Sequence, residues 1–176
     1  VAILPIRIFP DPVLRQKAKP VDKITPEIIQ MLDDMLDTMY HAPGIGLAAP
    51  QIGLALRLVV VDVSDKTDEE GRIIERKPIR MINPQIIAAS ENYTLLTEGC
   101  LSLPEMDVDV ERPETIRFSY TDVNGEIQTV DANDILSKAV QHEIDHLDGK
   151  LIFDYLSPLK RDMVLRKYNK KLKSGE

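Results

Sequence analysis

The residues predict an α+β fold, because strand signals gather in the middle of the chain and helix signals stand on either side of them. Three observations carry this. Thr25 can cap a helix opened by Pro26, after which Ile28, Ile29, Leu32, Met35, Leu36 and Met39 form one apolar stripe at helical spacing. Leu58 to Val63 is a β-branched run that reads as a buried strand. Strand signals recur at Met81 to Ala88, Thr115 to Thr121 and Ile127 to Val130, with Asn124-Gly125 supplying a hairpin turn between the last two. A further helix, capped by Asn133 or Asp134, is expected to run to about Gly149, and a basic helix follows Ser157-Pro158.

Between these elements the sequence is punctuated. Pro43-Gly44-Ile45-Gly46 ends the first helix, and its glycines suit a backbone that lies close to something. Ser64 to Pro78 reads as a charged loop or hairpin. The 176 residues fit one domain, 43% hydrophobic and 29% charged, and we expect residues 1–159 to form one catalytic unit with 160–176 as its basic helix or tail. The start, from Val1 to Arg7, lacks the pattern of a signal peptide, and no apolar run approaches membrane-spanning length. With a single cysteine no internal disulfide can form, so a reducing cytoplasm is the expected location. The net charge of −7 argues against nonspecific nucleic-acid binding by the body, yet it hides an asymmetry: residues 160–176 carry +5 and the rest −12.

The chemistry is expected on the second helix. His142-Glu143-Ile144-Asp145-His146 places two imidazoles about 40° apart on one helical face, where both can meet one ion, and leaves Glu143 to reach a metal-bound water without ligating. His142 and His146 continue a stripe with Ile135 and Ala139, and Glu143 continues one with Leu136, Val140 and Leu147. The motif therefore belongs to a buried helix. Cys100, alone, reads as a small buried hydrophobe. Beside the helix motif it becomes the third ligand, and Cys100, His142 and His146 then leave a tetrahedral ion one open position.

Three segments resemble the signature motifs of peptide deformylases: Gly44-Ile45-Gly46-Leu47-Ala48-Ala49-Pro50-Gln51, Glu98-Gly99-Cys100-Leu101-Ser102 and Gln141-His142-Glu143-Ile144-Asp145-His146. The similarity runs from about Ile8 to Leu159. It implies mixed β-sheets around a central helix carrying the histidines, with a C-terminal helix. It also implies ferrous iron as the ion, with zinc, nickel or cobalt as substitutes, and removal of the formyl group from the N-terminal formylmethionine of nascent polypeptides. Glu143 would be the general acid/base, and the Gln51 amide and Leu101 backbone N–H would face the developing oxyanion.

Gly44, Ile45 and Gly46 are expected to pair with an extended peptide, and Ile45, Leu101, Ile135 and Ala139 to form the methionine pocket. Glu98 and Asp145 are candidate partners for the histidine ring N–H groups. Glu105-Met106-Asp107-Val108-Asp109 is acidic where many family members carry glycine, aromatic or basic residues, which leaves preference beyond methionine open. The basic tail implies docking to the ribosome. Two other readings stand beside this one: a zinc endopeptidase with Asp154 or Asp162 as third ligand, and a noncatalytic metal-stabilised module.

Overall fold

In the computed structural model, residues 2–64 and 66–174 are described. Val1, Asp65, Gly175 and Glu176, the last an acidic residue of the tail, lie outside the described residues.

Helix α1 (Pro26–His41) begins where expected, with the Thr25 hydroxyl accepting the Ile28 N–H at 3.3 Å. Leu32, Met35, Leu36 and Met39 are buried and meet Leu47, Leu58, Val60 and Ile82, so the methionines of this stripe are core. The chain then turns through Gly44 into β1 (Gly46–Ala48), a 3₁₀ turn at Ala49–Ile52, and β2 (Leu58–Val61). With β3 (Ile79–Ala89), β6 (Ile116–Thr121) and β7 (Ile127–Ala132) they form a five-stranded sheet in the order β1-β2-β3-β6-β7, antiparallel at every pairing.

A second sheet is a long hairpin of β4 (Tyr93–Cys100) and β5 (Leu103–Pro113). Neither strand was expected from the sequence. In β5 the acidic residues Glu105, Asp107, Asp109 and Glu111 alternate with buried Met106, Val108 and Val110, so the acidic segment Glu105 to Asp109 lies in a half-buried strand. Its buried face joins Leu14, Leu103, Leu151, Phe153 and Tyr168 in one cluster.

Helix α2 (Asp134–Leu147) lies against β1, β2 and β3, with Ala139, Val140, Ile144 and Leu147 packed on Val59, Val61, Met81 and Phe118. The α+β arrangement around a central helix is thus as expected. Asn133 takes the N-cap position without a side-chain bond. At the other end Gly149 adopts φ 75°, and a Cβ there would stand 2.6 Å from the Arg15 carbonyl oxygen. Helix α3 (Pro158–Lys173) starts two residues before the expected boundary, capped by Ser157. Tyr168 is buried and its hydroxyl donates to the Phe9 carbonyl at 2.6 Å, so the helix is seated on the body and is not a free tail.

Gly149→Ala is expected to destabilise the protein by about 1–3 kcal/mol, since the left-handed backbone and the Arg15 contact both oppose a side chain. Urea unfolding measures this, and a midpoint equal to wild type would contradict it.

Candidate metal centre

Three elements converge on one place. β4 ends on Cys100, α2 presents His142, Glu143 and His146, and β1 with its 3₁₀ turn brings Gly46 and Gln51. The Cys100 Sγ lies 3.3 Å from His146 Nε2, and the two Nε2 atoms are 3.3 Å apart. An ion held tetrahedrally by one sulfur and two nitrogens sets those atoms about 3.3–3.6 Å from one another, given bonds of ~2.3 Å and ~2.0–2.1 Å. Two of the three edges therefore match such an ion, and all three donor atoms lie within 4.8 Å of one another, so the donor set suits a divalent metal. Among the described residues, Cys100, His142 and His146 are the group that gathers in this way.

Neither alternative third ligand is near. Asp154 is committed to Arg15, at 2.6 and 3.1 Å, and to the Leu151 N–H, while Asp162 lies on α3. The endopeptidase reading loses its ligand.

The surroundings orient the histidines unequally. His142 Nδ1 lies 3.0 Å from Glu98 Oε1, which turns its Nε2 toward Cys100 and His146. Asp145 does not play the corresponding part for His146, whose buried Nδ1 has no partner among the described residues. It instead accepts from Arg112 Nη1 at 2.8 Å and the Tyr155 hydroxyl at 2.5 Å, because its position on α2 aims it at the hairpin. Arg112 grips Glu98 with Nε and Nη2 at 2.6 and 2.9 Å. Its side chain is 2% exposed, so these two carboxylates supply the compensation that a buried guanidinium needs.

Charge follows from this wiring. Burial pushes the Glu98 carboxyl up, but bonds from His142 and Arg112 outweigh it and hold the pKa at about 2. Burial lowers His142, yet the nearby Glu143, Cys100 and Glu98 outweigh it and raise its pKa well above the ordinary imidazole value. Burial with the neighbouring His142 and Arg112 charges drives His146 the other way. Glu143 is pushed up to about 7, chiefly by burial. Its Oε1 is buried without a partner among the described residues. A carboxyl near neutrality that still lacks a bond is suited to taking and returning a proton.

Gln51 is buried rather than a surface amide. Its Oε1 accepts the Ala48 N–H at 2.9 Å, and its Nε2 lies 3.1 Å from Ser102 Oγ and 3.6 Å from Cys100 Sγ. Leu101 stands on the turn between β4 and β5. Gly46 has a reason beyond backbone freedom: a Cβ there would meet Glu143 Oε2 at 2.5 Å. A cleft of about 790 Å³ opens over these groups. Gly44, Ile45, Gly46, Leu101, Ile135 and Ala139, the six expected substrate contacts, all line it. Ile45 and Ile135 stand half exposed at its rim. Leu96 and Met106 also line it and were missed, since they sit on the unexpected hairpin. For Met106 the signal was the apolar/polar alternation of β5. Glu105 and Asp107 reach the cleft too. Among the described residues no helix is long and apolar enough to cross a membrane.

Comparison with known proteins points to one family. The family model for polypeptide deformylase matches residues 3–162. A peptide deformylase of Bradyrhizobium diazoefficiens is 49% identical over 175 residues, 99% of each chain, and one of Rhizobium meliloti is 49% identical over 172 residues, covering 98% of this chain and 95% of the relative. Among solved structures, a peptide deformylase of Ehrlichia chaffeensis superposes with a TM-score of 0.89 at 36% identity, over 99% of both chains. One of Synechococcus elongatus, in complex with actinonin, has a TM-score of 0.85 at 40% identity, covering 94% of this chain and 88% of that one. The motifs, the fold and the whole-length identity agree, and the chain belongs to the polypeptide deformylase family of enzymes.

Proposed function

We propose that the enzyme removes the formyl group from N-formylmethionyl nascent peptides by metal-assisted hydrolysis, with Cys100, His142 and His146 as ligands and Glu143 as general acid/base. The observation that carries this is the Sγ, Nε2 and Nε2 triangle beside a buried carboxyl poised near neutrality. When bound, the ion acidifies the water it carries and polarises the carbonyl under attack. Glu143 takes the water proton on its unpartnered Oε1 and returns it to the departing amine nitrogen. Gln51 Nε2, held by the Ala48 bond on its other end, and the Leu101 N–H are assigned to the developing oxyanion.

Substrate enters as an extended strand beside Gly44, Ile45 and Gly46, with its methionine side chain among Leu101, Ile135 and Ala139. A formyl carbon bears only hydrogen, so a site closed in by Leu101 and Gly46 spares ordinary peptide bonds. Cys/His₂ donors accommodate several divalent ions. We assign ferrous iron from the family resemblance, with zinc, nickel or cobalt as substitutes. In this reading residues 1–159 form one catalytic unit that carries a basic segment, 160–176, and works in the cytoplasm where formylated chains emerge.

Glu143→Ala is expected to keep its metal and lose about 10²–10⁴ in kcat on formyl-Met-Ala-Ser. Cys100→Ala should lose both. Wild type should leave the acetyl analogue and casein intact. Turnover of Glu143→Ala within about tenfold of wild type would overturn the assignment, and cleavage of casein would restore the endopeptidase reading.

We further propose that the exposed basic face of α3 docks on the ribosome. Truncation after Leu159, which the sequence alone suggests would leave turnover intact, also removes Tyr168 from the core, so neutralising exposed charges is the cleaner test. Replacing Arg166, Lys167, Lys170 and Lys173 by glutamine should leave peptide turnover within about twofold while abolishing salt-sensitive cosedimentation with ribosomes. Equal cosedimentation of variant and wild type would end the idea.

A further inference from the structure

The polar chain behind His142 does not stop at Glu98. It continues through Arg112 to Asp145 and ends on Tyr155, a residue for which the mechanism has no use. Tyr155 closes the 3₁₀ turn Ile152–Tyr155, just ahead of α3. Its hydroxyl donates to Asp145, the same carboxylate that accepts Arg112 Nη1, and its ring lies over the guanidinium with Arg112 Cζ 4.8 Å from the centroid. Arg112 is almost inaccessible while Tyr155 is 44% exposed, so the phenol ring is what stands between the buried cation and solvent.

We infer that Tyr155 is a positioning residue for the metal centre, acting through Asp145, Arg112 and Glu98 on the ring orientation of His142. This rests on the proposed ligand set. The guanidinium is shared between two carboxylates, and only its Nη1 faces Asp145 while Nε and Nη2 face Glu98. Without the phenol hydroxyl, Asp145 has lost one of its two donors and draws harder on Arg112. The bidentate grip on Glu98 then loosens, and with it the 3.0 Å bond that fixes the His142 ring. Glu143 and the proposed peptide contacts Gly44, Ile45, Gly46, Leu101, Ile135 and Ala139 have no part in this chain, so the effect belongs to the metal and to kcat, not to peptide binding.

The test uses cobalt-loaded full-length enzyme and three variants: Tyr155→Phe, Asp145→Asn and, as a reference for the ligand set, Cys100→Ser. Wild type should show a thiolate-to-cobalt charge-transfer band that Cys100→Ser lacks. If wild type lacks it, the ligand assignment itself fails, which is a different result from failure of the inference. With the band present, Tyr155→Phe and Asp145→Asn should each release cobalt to a chelator faster, by about threefold or more for the outer link and toward the 10–100-fold typical of groups that hold a metal-bound histidine for the inner one. Their visible bands should shift and kcat should fall with KM unchanged; metal-free Tyr155→Phe should melt with wild type, whereas metal-free Asp145→Asn, which leaves the buried Arg112 short of a carboxylate, should melt lower. Cobalt release and spectra equal to wild type in both variants overturn the inference. So does faster release by Tyr155→Phe that only parallels a lowered melting temperature of the metal-free variant, because that is loss of packing.

Discussion

A guanidinium buried between two carboxylates ties the molecule together. Arg112 belongs to the β4–β5 hairpin, Glu98 to the same hairpin one strand away, and Asp145 to helix α2. Helix and hairpin carry different members of the proposed ligand set, so any slippage between them opens the Cys100–His146 distance. Removing one partner from such an arrangement typically costs about 3–5 kcal/mol, because the charge left behind is buried without compensation. That penalty fixes the register of hairpin against helix more sharply than the apolar contacts around it, which tolerate small shifts.

The rest of the site depends on that register. Once Glu98 is held, His142 has one available ring orientation, and His146, one helical turn on, shares its face. Glu143 then points across to β1, where only a glycine leaves room for it. Burial does two jobs there: it removes competing hydrogen bonds from the carboxylate and lifts its pKa to about 7, while Glu98, bonded to His142 and Arg112, is held near 2 by its donors. Two glutamates of one site are set apart by environment alone.

Much of this was legible in the residues. The His142 to His146 spacing, the single cysteine and the Gly44 and Gln51 motif each point to the site, and helix α1 follows from Thr25-Pro26 and its stripe. The hairpin was harder to read. Its β5 strand is rich in aspartate and glutamate, residues poor in strand propensity, and the charges between Met106, Val108 and Val110 mask their alternation. Arg112 and Tyr155 gave no local signal, since their importance comes from meeting Asp145 across 33 and 10 residues of chain. Asp145, a candidate partner for a histidine ring N–H, meets Arg112 and Tyr155 instead for the same reason: helical spacing says which face a side chain takes, not what another element brings to it. The seating of α3 was invisible too, because one buried tyrosine among lysines does not change a periodicity.

X-ray absorption at the metal edge of anaerobically purified full-length protein tests the central claim most directly. One sulfur and two imidazole nitrogens around iron, with the remaining scattering from a light atom, is the predicted result. A spectrum without sulfur, or one fitted by carboxylate oxygens in place of either imidazole, would contradict the site as described.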